Sequence, residues 1–154
     1  MKILVAIDFS DISEKLLQQA EKLARAMSTE IILMHVAEPN PDHIAYDFDP
    51  AAMYAIDPSE IRQQIAERFQ REHQHIQQMA EKLRAEGLSC KAMMVQGPTV
   101  EMLLGAVKNM HIDFIIAGSH GKGWLSQILL GSSSEALVRK SPIPVYLVPA
   151  AKQD

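Results

Sequence analysis

The sequence predicts an α/β protein: an open five-stranded parallel sheet with helices on both faces. Three observations carry that expectation. Short apolar runs such as KILVAI at 2–7 and IDFIIA at 112–117 have strand length and no strict polar alternation, as in strands buried on both faces. Between such runs, apolar residues recur every three or four positions, the period of a helix with one buried face. The two patterns alternate as β-α-β-α-β-α-β-α-β, which requires crossover connections and hence a parallel sheet.

The first strand ends at Asp8, where polar residues begin. Asp11 and Glu14 have the D-x-x-E spacing of a capping box, and Ile12, Leu16, Ala20, Leu23 and Met27 carry a helix to about residue 27. EIILMHV at 30–36 is a second buried strand. Residues 37–57 hold Pro39, Pro41 and Pro50 and show no sustained period, so a long flexible loop is expected. Asp57-Pro58 supplies an N-cap and a first-turn proline, and Ile61, Ile65, Phe69, Ile76, Ala80 and Leu83 form a stripe that stops at Gly87. Residues 89–96 are a third strand, and Gly97-Pro98-Thr99 turns the chain. Val100, Leu103, Leu104, Val107 and Met110 mark the next helix, 112–117 the fourth strand, 132–140 the last helix and 145–148 the fifth strand. Neither an internal repeat nor a boundary to a second domain is visible, so residues 1–154 are expected to form one domain.

The totals narrow the function. The chain has 47% apolar and 22% charged residues, ordinary for a soluble globular protein. A formal charge of −4 gives no general attraction to nucleic acid or an anionic membrane, and no Lys/Arg-rich stretch supplies it locally. The N-terminal apolar run is too short for a signal peptide, and no window reaches the length of a membrane span. Cys90 is the single cysteine, which excludes an internal disulfide and fits a reducing cytoplasm; its expected role is structural.

In open parallel sheets ligands collect at the carboxyl ends of the strands, near the point where strand order reverses. Asp8, Val36 and Gly118 should meet there. Gly118 opens GSHGKGWLSQILLGSSSE at 118–135, which fits neither familiar glycine motif: Gly121-Lys122 lacks the P-loop spacing, and Gly121-x-Gly123 lacks the third glycine of the dinucleotide fingerprint. What remains is Gly118-x-x-Gly121, nine residues, then Gly131-Ser132. Two readings stay open on physics alone. The glycines let backbone N–H groups approach an anion, and Ser132, Ser133 and Ser134 precede or open a helix whose free N–H groups favour phosphate. Equally, the segment can be a glycine-rich turn before a serine N-cap. Asp8 suits a ribose hydroxyl, or a Mg2+ ion that accompanies phosphates.

The G-x-x-G-x(9)-G-[ST] spacing, together with Asp8-Phe9-Ser10 after the first strand, resembles the universal stress protein family, in particular its ATP-binding members. The likeness extends over nearly the whole chain, through VAIDFSDISEKLL, IILMHV and IDFIIAGSHGKGWLSQILLGSSSEALVRKSPIPVYLVP. It implies a Rossmann-like sheet of the adenine nucleotide alpha hydrolase type, with ATP or another adenine nucleotide as ligand and Mg2+ as a companion ion. Carried onto this sequence, it places Gly118, Gly121, Gly131, Ser132 and Ser133 at the ribose and phosphates, with Ala117 and Ser134 flanking them. Asp8 falls at the ribose with Ile7 beside it, and the main chain at Val36 at the base. The resemblance also implies a homodimer through residues 145–148, with tetramers as a further assembly, and a protein partner that the sequence does not identify.

Other residues are expected to be structural. His35 reads as a packed residue at the end of the second strand. His73 and His75, two apart on a helix, point to different faces and make a poor metal pair. His120 and Lys122 can reach a phosphate or face water. Trp124, Leu125, Ile128, Leu129 and Leu130 read as packing beneath the glycine segment. No nucleophile–base pair with an orienting partner is visible, and the H-x-G-H and S-G-G-x-D-S signatures of related nucleotide-sheet enzymes are missing. The expected function is therefore a nucleotide-sensing regulator. A slow ATPase or phosphotransfer protein using His120, Asp8 or Ser132 is the enzymatic alternative, and a nucleotide-independent interaction module is the other.

Overall fold

A computed structural model describes residues 1–37, 57–119 and 133–149. The strands are β1 (Lys2–Ile7), β2 (Glu30–Ala37), β3 (Cys90–Gln96), β4 (Phe114–Gly118) and β5 (Val145–Val148). The described helices are α1 (Ser13–Met27), α2 (Pro58–Ala85), α3 (Thr99–Met110) and α4 (Ser133–Lys140). The strands form one sheet in the order β3-β2-β1-β4-β5, with every neighbouring pair parallel. The expected α/β fold is the one found.

β1 lies at the centre, paired with β2 from Lys2–Glu30 to Ile7–His35 and with β4 from Ile3–Phe114 to Val5–Ile116. Successive side chains of a strand point to opposite faces, so its apolar run feeds two cores. Ile3, Val5 and Ile7 pack with Leu16, Ala20 and Ala24 of α1 and Ile76, Ala80 and Leu83 of α2. Leu4 and Ala6 pack with Leu103, Ala106 and Val107 of α3 and with Leu137 of α4. Each large aliphatic side chain taken from water in these layers contributes roughly 1.5–3 kcal/mol.

α2 begins as its sequence predicts. The Asp57 carboxylate accepts from the Ser59 amide at 2.8 Å, with Pro58 in the first turn. It ends with Gly87 at φ +81°, and the Leu88 amide reaches back to the Leu83 carbonyl at 3.1 Å, a glycine-assisted helix stop. Of its apolar stripe only Ile76, Ala80 and Leu83 are buried, whereas Ile61, Ile65 and Phe69 are half-exposed. The sheet lies under the second half of the helix.

Three expectations are corrected. Asp11 does not cap α1: Ile12 occupies the cap position without a side-chain bond, and the Ser13 amide is taken by the Ser10 carbonyl at 3.0 Å. A backbone turn does the work assigned to the capping box. β4 begins at Phe114, not at residue 112. His111 closes α3 at φ +55°, and the Ile112 amide still bonds the Val107 carbonyl at 3.1 Å, so Ile112 belongs to the helix stop. Ala37 is the last residue of β2 instead of the first of a loop; residues 38–56 of that expected loop lie outside the described residues. Among the described residues no helix is long and apolar enough to cross a membrane.

Leu33 is 0% exposed in the centre of β2, and Leu33→Ala should lower unfolding free energy by about 3 kcal/mol in urea titration. Gly87→Ala should cost about 1 kcal/mol in the same assay, because φ +81° is unfavourable once a Cβ is present.

Candidate functional site at the carboxyl end of β1

β1 leaves the sheet between its two partners. Ile7 stands beside His35 on β2, while the pairing of β1 with β4 ends two residues earlier, at Val5–Ile116. The chain continues from β1 towards β2 on one side, while β4 lies on the other. That is the reversal of strand order where a crevice opens in doubly wound sheets.

Asp8 is the first residue beyond the sheet at this point. Its Oδ1 accepts from the Ser10 amide at 2.9 Å and from the Ser10 hydroxyl at 2.6 Å. Its Oδ2 is buried and has no hydrogen-bond partner among the described residues. A buried carboxylate oxygen without a donor is costly, so the geometry suits a ligand that brings a hydroxyl or amide donor. Phe9 turns the chain at φ +58°, a left-handed conformation that costs a bulky side chain roughly 1–2 kcal/mol.

The Phe9 ring is held between two imidazoles. Its centroid lies 4.4 Å from that of His35 and 4.6 Å from that of His75, the latter stacked at 11°. His35 is itself buried. Its Nδ1 lies 2.8 Å from the Ile7 carbonyl oxygen, and its Nε2 lies 3.1 Å from Glu72 Oε2. Arg68 Nε donates to Glu72 Oε1 at 3.0 Å. Partial burial works against ionisation of Glu72, but the hydrogen bond and charge of His35 together with Arg68 outweigh it, and the Glu72 pKa falls below its ordinary value. Through its two ring nitrogens His35 thus links the Ile7 carbonyl at the end of β1 to Glu72 on α2.

Of the residues singled out from sequence, Ile7, Asp8, Val36, Ala117 and Gly118 are brought to one end of the sheet. Ile7 is 2% exposed, Val36 8% and Ala117 0%, so their side chains are packing groups and only their main chain can face a ligand. β1 pairing ends at His35, while β2 stays paired to β3 through Val36–Val95 and Ala37–Gln96. The β1-facing backbone edge at Val36 is thereby released from the ladder. Ser133 and Ser134 form the first turn of α4, on the crossover that joins the parallel strands β4 and β5. Gly121, Gly131 and Ser132, with His120, Lys122, Trp124, Leu125, Ile128, Leu129 and Leu130, lie outside the described residues.

Sequence reasoning missed Phe9 and the Glu72–His35 pair. Arg68 and Glu72 stand four apart on a helix, a legible ion-pair spacing, but nothing local says that Glu72 reaches β2. His75 is exposed at the surface as expected, yet its ring also covers Phe9. Cys90 is buried, and burial raises its thiol pKa to about 11 against the opposing charge of Arg84, in keeping with a structural role. Among the described residues no cluster of three or more His, Cys, Asp or Glu is arranged to hold a metal.

The fold is shared with known proteins. The profile of the universal stress protein family matches residues 1–149, and the chain belongs to that family. A universal stress protein of Thermus aquaticus is 29% identical over 152 residues, covering 95% of this chain and 96% of the relative. The solved structure of the Methanocaldococcus jannaschii universal stress protein MJ0577 superposes with a TM-score of 0.74 at 28% identity, covering 99% of this chain and 97% of that one. Two more distant structures share the fold. One is a universal stress protein in complex with cAMP (TM-score 0.63, 21% identity, 97% of this chain and 96% of that one). The other is the Archaeoglobus fulgidus protein in complex with dAMP (TM-score 0.60, 17% identity, 96% of each chain).

The lowered pKa of Glu72 sets a pH dependence. A carboxyl whose folded pKa lies below its unfolded value of 4.5 stabilises the fold above that value, and the contribution fades as pH falls through the folded pKa. The stability advantage of the natural protein over Glu72→Gln should therefore be full at neutral pH and shrink steadily below pH 4.5, as read from urea titrations at stepped pH.

Proposed function

We propose that the protein binds an adenine nucleotide, ATP with Mg2+ as companion ion, at the carboxyl end of its sheet and acts as a nucleotide-sensing regulator in the stress response. The observation that carries this reading is the buried Asp8 Oδ2, which has no donor among the described residues at the reversal of strand order. A ribose hydroxyl supplies such a donor. The adenine nucleotides in the two related complexes support the ligand class, and the intact G-x-x-G-x(9)-G-[ST] spacing supports a phosphate-bearing one. In this reading the released backbone at Val36 meets the base, and Ile7 and Ala117 wall the pocket. The N–H groups of Gly118, Gly121 and Gly131, with the hydroxyls of Ser132, Ser133 and Ser134, hold the phosphates. A regulator needs a partner whose affinity differs between the filled and empty states.

Binding is tested by identifying small molecules released on denaturing the purified protein, then by calorimetric titration with ATP and Mg2+. Saturable binding is expected, weakened about tenfold in Asp8→Asn, where a charged acceptor becomes a neutral one. Gly131→Val should abolish it. No released nucleotide and no binding heat would sink the proposal.

The same reading includes a homodimer through β5. That strand is paired to β4 on one side only among the described residues, and Tyr146 and Leu147 are 44% and 40% exposed, with Val138 on α4 48% exposed. An apolar sheet edge of this kind needs a cover. Light scattering should give a dimer mass for the natural protein and a monomer mass for Leu147→Glu; an unchanged mass in the variant would exclude β5 as the interface.

A further inference from the structure

We propose that Arg68, Glu72, His35 and His75 form a positioning relay that fixes Asp8 for recognition of the ribose, so that residues on α2 set how strongly the protein distinguishes ribose from deoxyribose. The proposal rests on the nucleotide reading above and assigns that site a specificity device.

Asp8 is gripped from both sides, and one side chain takes part in both grips. The carbonyl of Ile7, in the peptide that precedes Asp8, is held by His35 Nδ1 at 2.8 Å. The residue that follows, Phe9, has its ring between His35 and His75, with centroids 4.4 Å and 4.6 Å away. A phenylalanine at φ +58° persists only where its surroundings over-determine it; here the two imidazoles and the core of β1 and α1 provide that constraint. His35 is in turn anchored through Nε2 to Glu72 at 3.1 Å, and Glu72 to Arg68 at 3.0 Å. Oδ1 of Asp8 is occupied by Ser10, which leaves Oδ2 as the oxygen free to take a ligand donor. Its direction depends on the backbone at Ile7 and Phe9, and therefore on the relay. Arg68, Glu72 and His75 are positioning residues: through His35 and Phe9 they fix where Asp8 points.

The test is calorimetric titration of the full chain with ATP, 2′-deoxy-ATP and 3′-deoxy-ATP in the presence of Mg2+. The natural protein should prefer ATP by about tenfold or more over the analogue that lacks the hydroxyl taken by Asp8. Glu72→Gln and His75→Ala should each reduce that preference to about threefold or less, while binding of the analogue changes by no more than about twofold. His35→Ala should remove the preference, but it empties a buried position and can unfold the protein. The decision therefore rests on the two variants on α2, whose folding is checked by thermal melting. If both fold and keep the natural preference, the relay is overturned while nucleotide binding stands. If the natural protein binds ATP and both analogues alike, the assignment of Asp8 to ribose fails and the relay with it. If it binds no nucleotide, the proposed function itself is overturned.

Discussion

The backbone ladder that holds β1 between β2 and β4 is the constraint on which the remaining structure depends. Ile3, Leu4, Val5 and Ile7 are each no more than 2% exposed, because the strand has neighbours on both edges and helices on both faces. It joins the two cores, with Ile3, Val5 and Ile7 in one and Leu4 and Ala6 in the other. A strand so enclosed has a single way out, past its carboxyl end. There β4 has already run alongside and β2 continues two residues further, so the chain must turn at once. The turn at Asp8, Phe9 and Ser10 follows from that confinement.

The turn breaks local rules that the strands obey. A phenylalanine sits in the left-handed region, and Asp8 Oδ2 and Ser13 Oγ are buried without partners among the described residues. Such departures destabilise the native state and concentrate at functional sites, where the surroundings are rigid enough to hold them. Here the rigidity comes from the sheet and from His35, whose two ring nitrogens tie the end of β1 to a long helix. α2 thus does more than cover the sheet. Its last turns pack against the core, and its middle turns, with Arg68, Glu72 and His75, carry the polar groups that reach the site.

Membership of the universal stress protein family fits this division of labour. At 28–29% identity to the relatives described, most positions differ, while the fold is kept. A parallel sheet of this type tolerates such change because its cores need apolar volume in the right places more than particular side chains. The turn after β1 has stricter demands, since it holds Phe9 at a positive φ and the buried Asp8 Oδ2 in a fixed direction.

Much of the protein was legible in the sequence. The uninterrupted apolar runs, the helical stripes and the strict alternation determined a parallel α/β sheet, because each pattern has one economical way to bury itself. Asp57-Pro58 and Gly87 marked the ends of α2 through local backbone chemistry that needs no distant partner. The tertiary structure alone decided what Asp11, His35 and Glu72 do. Asp11 had the spacing of a cap, but Ile12 takes the cap position and a backbone turn from the Ser13 amide to the Ser10 carbonyl opens the helix. His35 and Glu72 are separated by more than thirty positions of chain, and they meet only because α2 lies across the end of β2. Hydrogen bonds and ring contacts act over a few ångströms in space, so patterns of local spacing reveal elements, while the contacts between them appear only when the chain is folded.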